Sequence, residues 1–212
     1  MRSVAVLDQQ ALAEGVRALG KADADLREVI ARHGPPPLWE REPGFPTLLR
    51  IILEQQVSLA SARATYERLL MVVSSLTPAA LLALDDAALR TAGFSRQKAS
   101  YARDLARSLA DGTFDLAALE RKDDLAARVE LTRLRGVGIW SADIYLLMAL
   151  RRSDVWPRSD LALATAAAEV KHLERRPSPD DLEGLASSWR PWRAVAARIL
   201  WHHYLSTRRR PD

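Results

Sequence analysis

Apolar residues return at steps of three and four along nearly the whole of this 212-residue chain, and runs alternating at every second residue are almost absent. That period lines side chains along one face of an α-helix, so an all-α fold is predicted. The clearest stripe is Phe45, Leu48, Leu49, Ile52, Leu53 and Val57, a helix expected to be deeply buried. No period lasts long. "GPPP" at 34–37 stops two short amphipathic helices, 8–19 and 23–33, because proline neither continues a helix nor donates a backbone hydrogen bond. Residues 34–46 therefore read as extended linker. A helix is predicted over 59–73, then two short ones in "LTPAALLALDDAALRTAG", capped by Thr77 and Asp85 and closed by Gly93. Others are predicted over 95–110, 114–120, 123–134 and 139–150. After "RRSDVWPRSD" come a helix starting at Asp160, one in "SPDDLEGLASSW", and one in "PWRAVAARILWHHYL" with Pro191 in its first turn. The tail "STRRRPD", 206–212, is expected to be frayed and solvated. Many short helices, rather than one long bundle, suggest two packed helical lobes.

Composition narrows the chemistry. A hydrophobic fraction of 48% supports a sizeable core, and the absence of Cys excludes disulfides, thiolate zinc sites and Cys-ligated iron–sulfur clusters. His33, His172, His202 and His203 show no metal-ligand spacing, so no metal site is expected. No apolar run approaches the roughly 20 residues of a membrane span, and no signal-type N-terminus is seen, so a soluble cytoplasmic protein without membrane contact is the expectation. The net charge of +4 suits a polyanionic partner, although a genome-wide bias toward Arg would produce the same balance.

One joint stands out. "LRGVGIW", 134–140, places Gly136 and Gly138 between two predicted helices. Glycine reaches backbone angles closed to other residues, so two of them allow a turn of four or five residues. The first N–H groups of the second helix then point outward at the positive end of its dipole, a ready phosphate site to which Ser141 adds a hydroxyl. Read alone, the same pair of glycines also suits an ordinary helix C-cap and a tight corner.

A second feature decides between them. "LRGVGIWSADIYLLMAL" resembles the helix-hairpin-helix of the DNA glycosylase superfamily, in which a Gly/Pro-containing loop and an essential aspartate follow. Here Asp160, in "DVWPRSDLAL", lies 22 residues after Gly138. "GFPTLLRIILEQQVS" resembles the family's buried helix ending in Gln-Gln-x-Ser, and "SSWRPWRAVAARILWHHY" its closing Trp-x-Pro-Trp-Arg helix. The motifs cover roughly 40–205, and the branch they resemble most is the alkyladenine (3-methyladenine) DNA glycosylase II type. The resemblance implies lobes of approximately 1–44 plus 156–212 and 45–155, with the hairpin 134–138 in the second and an active-site cleft between them.

It also implies roles. Gly136, Gly138 and Ser141 would grip phosphates of damaged duplex DNA without regard to sequence, the family often holding a monovalent cation at hairpin carbonyls as well. Asp160 would stabilise the sugar cation formed as the base leaves, and orient or deprotonate the attacking water. The alternative is that Asp160 only caps a helix. Asp154 reads as a loop or capping residue. Gln56 matches the wedge that fills the gap left by a flipped nucleotide, or else is an exposed helix-end residue. Trp140 and Trp201 match positions lining the base pocket, where an electron-rich ring attracts a cationic alkylated base, or else they fill the core. Trp39, Trp156, Trp189 and Trp192 read as structural.

Strand-nicking members carry a lysine where this chain has Trp140, so the resemblance implies a monofunctional glycosylase using water. Missing Cys removes the iron–sulfur branches. Two departures matter. Ile144 stands where relatives have an aromatic that stacks on the base, leaving Tyr145, one step round the helix, as the nearest pocket candidate. The residues before the first motif read as helices, so the β-rich N-terminal domain of larger relatives is not expected. The sum is a monomeric enzyme that removes alkylated bases of the 3-methyladenine type and needs no cofactor. The rivals are a non-catalytic helix-hairpin-helix module binding damaged DNA, and a glycosylase for deaminated or oxidised bases.

Overall fold

The computed structural model describes residues 6–208, and among these it contains twelve α-helices, two short 3₁₀ segments and one isolated antiparallel bridge, Val6 to Arg152. No helix of the described residues is long and apolar enough to cross a membrane. The chain divides into two compact units, 41–150 and 1–40 with 151–212.

The unit 41–150 is built around α3 (Phe45–Glu54). Leu48, Leu49, Ile51 and Ile52 are fully buried, packed by α4 (Leu59–Val72), α7 (Arg96–Ala110) and α9 (Ile139–Met148). Each such side chain contributes about 1.5–3 kcal/mol, and cutting one back to Ala costs about 2–5 kcal/mol. The predicted stripe ends one member early. α3 stops at Glu54, so Val57 lies beyond it and is 44% exposed. Glu54 is itself buried, and its carboxylate is held by Arg41 at 3.0 Å through both oxygens and by Arg50 at 3.2 Å. A buried charge without such partners would be strongly destabilising.

α5 (Pro78–Ala83) and α6 (Asp86–Ala92) begin at Thr77 and Asp85, whose side chains accept from Ala80 and Ala88 N–H at 3.1 and 2.7 Å. The predicted helix over 114–120 is a 3₁₀ segment, Ala117–Arg121. α8 (Asp124–Leu131) then packs on α9.

The other unit centres on α12 (Arg193–Thr207), which packs on α1 (Gln9–Ala22), α2 (Ala24–His33) and α10 (Leu161–Val170). Ala194, Ala196 and Ala197 are fully buried. α1 comes so close that a Cβ on Gly15 would lie 2.8 Å from Val195 Cγ2. α11 (Pro179–Ala186) starts at a Ser178 capping box and leads into the second 3₁₀ segment, Ser187–Trp189. Pro191 precedes the N-cap, Trp192, rather than standing in the first turn, because α12 starts only at Arg193. The tail also differs from expectation. α12 runs to Thr207, and Arg208 binds Glu169 at 2.5 Å and stacks over Tyr204 at 3.9 Å; the rest of that tail, 209–212, lies outside the described residues.

Trp156 and Trp189 are core residues with ring centroids 5.5 Å apart. Asp154 pairs with Arg193 through both oxygens at 2.9 and 3.0 Å, a structural ion pair at the start of α12.

Candidate active site and nucleic-acid interface

In the unit 41–150, α8 ends at Leu131, so the joint to α9 spans 132–138 and is longer than predicted. Short-range bonds from Arg133 and Leu134 N–H to Glu130 and Leu131 carbonyls tighten the chain as it leaves the helix. Leu134 and Val137 are buried and anchor the turn. Between them Gly136 has φ +86°, and a Cβ there would lie 2.4 Å from Tyr101 Cγ. Only glycine fits. Gly138 differs: φ is −87°, and a Cβ would meet nothing within 4 Å. The protein's own packing gives no steric reason for glycine there. What it does is leave the start of α9 uncovered, since Gly138 is an N-cap without a side-chain bond and Ile139 is 53% exposed. The first N–H groups of a helix have no partner within it and sit at the positive end of its dipole, so this end can hold an anion.

Ser141, expected at this grip, and Tyr145, expected in the base pocket, both face inward instead. Ser141 is 2% exposed, and its hydroxyl accepts from Gln55 Nε2 at 2.7 Å, so it holds the hairpin instead of facing an anion. Tyr145 is fully buried, its hydroxyl accepting from Gly44 N–H at 2.9 Å, and burial pushes its phenol up to about 12. Its ring cannot line an open base pocket. Trp140 is half-buried in the first turn of α9.

Residues that the sequence reading missed brace the hairpin. Asp143, buried on α9, receives Arg128 Nε from α8 at 2.5 Å. Gln55 Nε2 also donates to the Gly136 carbonyl at 2.8 Å. Lys98 Nζ donates to the Leu53 and Gln55 carbonyls at 2.6 and 2.9 Å, and burial lowers its pKa from the ordinary lysine value. Gln56, the expected wedge, is exposed and has φ +56°, a left-handed conformation costing a non-glycine residue about 1–3 kcal/mol. Such strain persists only where neighbours hold it. A cation at this hairpin would have to rely on backbone carbonyls, since no group of three or more His, Cys, Asp or Glu among the described residues is placed to hold a metal. One of those carbonyls, Gly136, already accepts from Gln55.

In the other unit, buried Val155 and Trp156 anchor the loop that precedes α10, and Asp160 N–H closes a turn on the Pro157 carbonyl at 3.0 Å. Asp160 is the N-cap of α10 and 9% exposed. Its Oδ1 accepts from Leu163 N–H at 2.9 Å and from the Trp201 indole N–H at 3.2 Å. Trp201 is 8% exposed and thus holds the carboxylate, a role different from the open stacking face expected of it. Capping and a fixed, inward-held carboxylate coincide in one residue. Elsewhere in the same unit three of the four histidines come together, His33 lying 5.5 and 6.1 Å from the His203 and His202 rings, a cluster invisible to linear spacing.

Residues 49–191, more than half of the chain, match the family described as HhH-GPD superfamily base excision DNA repair protein. The chain belongs to this superfamily. A Bacillus subtilis protein named putative DNA-3-methyladenine glycosylase YfjP is 27% identical over 184 residues, covering 83% of this chain but 64% of that protein's length. The chain is similar to a Bacillus halodurans DNA-3-methyladenine glycosidase of known crystal structure, with TM-score 0.75, 27% identity, and 92% and 91% of the two chains covered. The fold is also that of the Schizosaccharomyces pombe 3-methyladenine DNA glycosylase Mag1, solved with abasic DNA, at TM-score 0.81 and 23% identity over 89% of this chain and 95% of that one.

Proposed function

We propose that the protein is a monofunctional DNA glycosylase that hydrolyses the N-glycosidic bond of alkylated bases, of the 3-methyladenine type, in duplex DNA. The observation that carries this reading is Asp160, a nearly buried carboxylate whose Oδ1 is fixed by two N–H donors at 2.9 and 3.2 Å. Breaking the bond builds positive charge on the deoxyribose, and a carboxylate fixed beforehand stabilises that charge without reorganising. The same group orients water and takes its proton as it adds to the sugar. The base departs and an abasic site remains.

The uncapped start of α9 at Gly138 serves the DNA backbone, an anion held by N–H groups without base readout. Gln56 enters the stack where the nucleotide has left. Trp140 stands where a strand-nicking relative would need an amine, and its indole cannot form a Schiff base. The names of the relatives, DNA-3-methyladenine glycosylase and glycosidase, support the alkylated-base substrate class. The enzyme is read as a monomer working in the cytoplasm.

The test is release of bases from duplexes carrying alkylated, deaminated or oxidised lesions, comparing wild type with Asp160→Asn. Asn also caps helices well, so the variant folds. Loss of about 10²–10³ in rate with DNA binding kept is the expected result. Equal rates in the two proteins refute the catalytic assignment. Activity confined to an oxidised or deaminated base moves the substrate class, and no release from any duplex leaves only the binding module. Borohydride trapping of wild type on DNA would overturn the monofunctional assignment.

A further inference from the structure

Gln55 follows the last residue of α3 in an extended conformation, and the chain then bends sharply through Gln56 at φ +56°. The loop that continues is poorly packed. Val57 is 44% exposed, and the loop borders a groove of about 240 Å³ lined by Leu53, Ser61, Thr65 and Lys98. Apolar contacts on that side do not hold it. Polar tethers do. The Gln55 side-chain amide uses both hydrogens on the hairpin, one to the Gly136 carbonyl at 2.8 Å and one to Ser141 Oγ at 2.7 Å. From α7, Lys98 Nζ holds the Gln55 carbonyl at 2.9 Å and the Leu53 carbonyl at 2.6 Å. Both acceptors on the hairpin are closely packed: Ser141 is 2% exposed, and Gly136 lies against Tyr101 with no room for a side chain.

We propose that Gln55 is a positioning residue that couples the wedge to the phosphate grip. Its backbone launches Gln56, and its side chain is fastened to the turn that presents the start of α9. Seating a phosphate on the hairpin therefore sets where Gln56 stands, through two hydrogen bonds rather than through packing. Gln55 itself touches no DNA. This inference rests on the reading of Gln56 as wedge and of the hairpin as anion grip, and it is independent of whether a base is released.

The experiment uses a duplex with a tetrahydrofuran abasic analogue and 2-aminopurine beside the gap, whose fluorescence rises when the wedge unstacks it. Gln55→Met keeps the volume and removes both donors. The insertion signal should fall at least about fivefold while Kd for the same duplex changes less than about threefold, and Gln55→Met should add nothing in a Gln56→Ala background. A signal within about twofold of wild type overturns the coupling. So does a parallel fall of signal and affinity that adds to the effect of Gln56→Ala, the behaviour of a residue that merely supports the fold. If Gln55→Met does not fold, Lys98→Met loosens the same backbone from the other side and carries the same expectations. A wild type that releases no base but shows insertion separates this proposal from the enzymatic one. A wild type with no insertion signal sinks it.

Discussion

Replacing Trp201 by Phe removes one N–H donor from Asp160 Oδ1. In the protein the indole N–H reaches Oδ1 at 3.2 Å and the Leu163 N–H reaches it at 2.9 Å. The second belongs to the helix cap and survives the substitution. Hydrogen bonds to charged groups contribute about 1.5–3 kcal/mol, and 3.2 Å is the long end of the N–H···O range, so the lower figure applies. At about 1.4 kcal/mol per factor of ten, base release should slow about tenfold, well short of the loss expected for Asp160→Asn. The smaller ring also leaves a void, costing about 1–3 kcal/mol of stability. The assay is single-turnover release of an alkylated base, run well below the variant's Tm, beside the affinity for a duplex with an abasic analogue. Affinity should hold, and Trp201→Phe should cost nothing further in an Asp160→Asn background, because the indole acts through the carboxylate. A wild-type rate in Trp201→Phe would refute the claim that the indole holds Asp160. So would a loss as large as that of Asp160→Asn.

The two hairpin glycines should separate cleanly. Gly136→Ala forces a Cβ to 2.4 Å from Tyr101 and should lower the Tm, whereas Gly138→Ala should keep it and weaken DNA binding, as melting and titration would show. Tyr145→Phe leaves the Gly44 N–H without its acceptor and should cost about 1–3 kcal/mol in urea unfolding, with lesion range and release rate unchanged. Acid should weaken the unit that holds the histidine cluster. Burial lowers the pKa of His203, which faces Glu169, Arg208 and His33, so the unfolded chain takes up the proton first. The stability held above the unfolded value of about 6.5 is then lost as pH falls through it, and a Tm difference between pH 7.5 and 5.5 that His203→Gln leaves unchanged would refute this.

Much of the fold is local and was legible. Helix starts at Thr77, Asp85 and Asp160 are written in the sequence, because a cap needs only a short polar side chain three residues before an unpaired N–H. The stripe from Phe45 to Leu53 announced a buried helix for the same reason, that 3.6 residues make a turn. Where prediction went wrong, a long-range partner decided. Ser141 and Tyr145 carry polar atoms in a motif, and nothing nearby in the chain says whether those atoms meet solvent or Gln55 and Gly44. Gln55 carries no signal in the sequence, because a terminal Gln amide has no periodicity and its partners lie 81 and 86 residues away.

The sequence by itself determined the helices, their order, the glycine joint and the spacing from Gly138 to Asp160, since all of these depend on backbone propensity within a turn or two. Tertiary structure alone decided what the polar atoms face. It turned Ser141 inward, set Trp201 against Asp160 across 41 residues of sequence, and fastened the Gln55 side chain to the hairpin. Hydrogen bonds are directional and short, so the partner of a buried donor is settled only when the helices have packed.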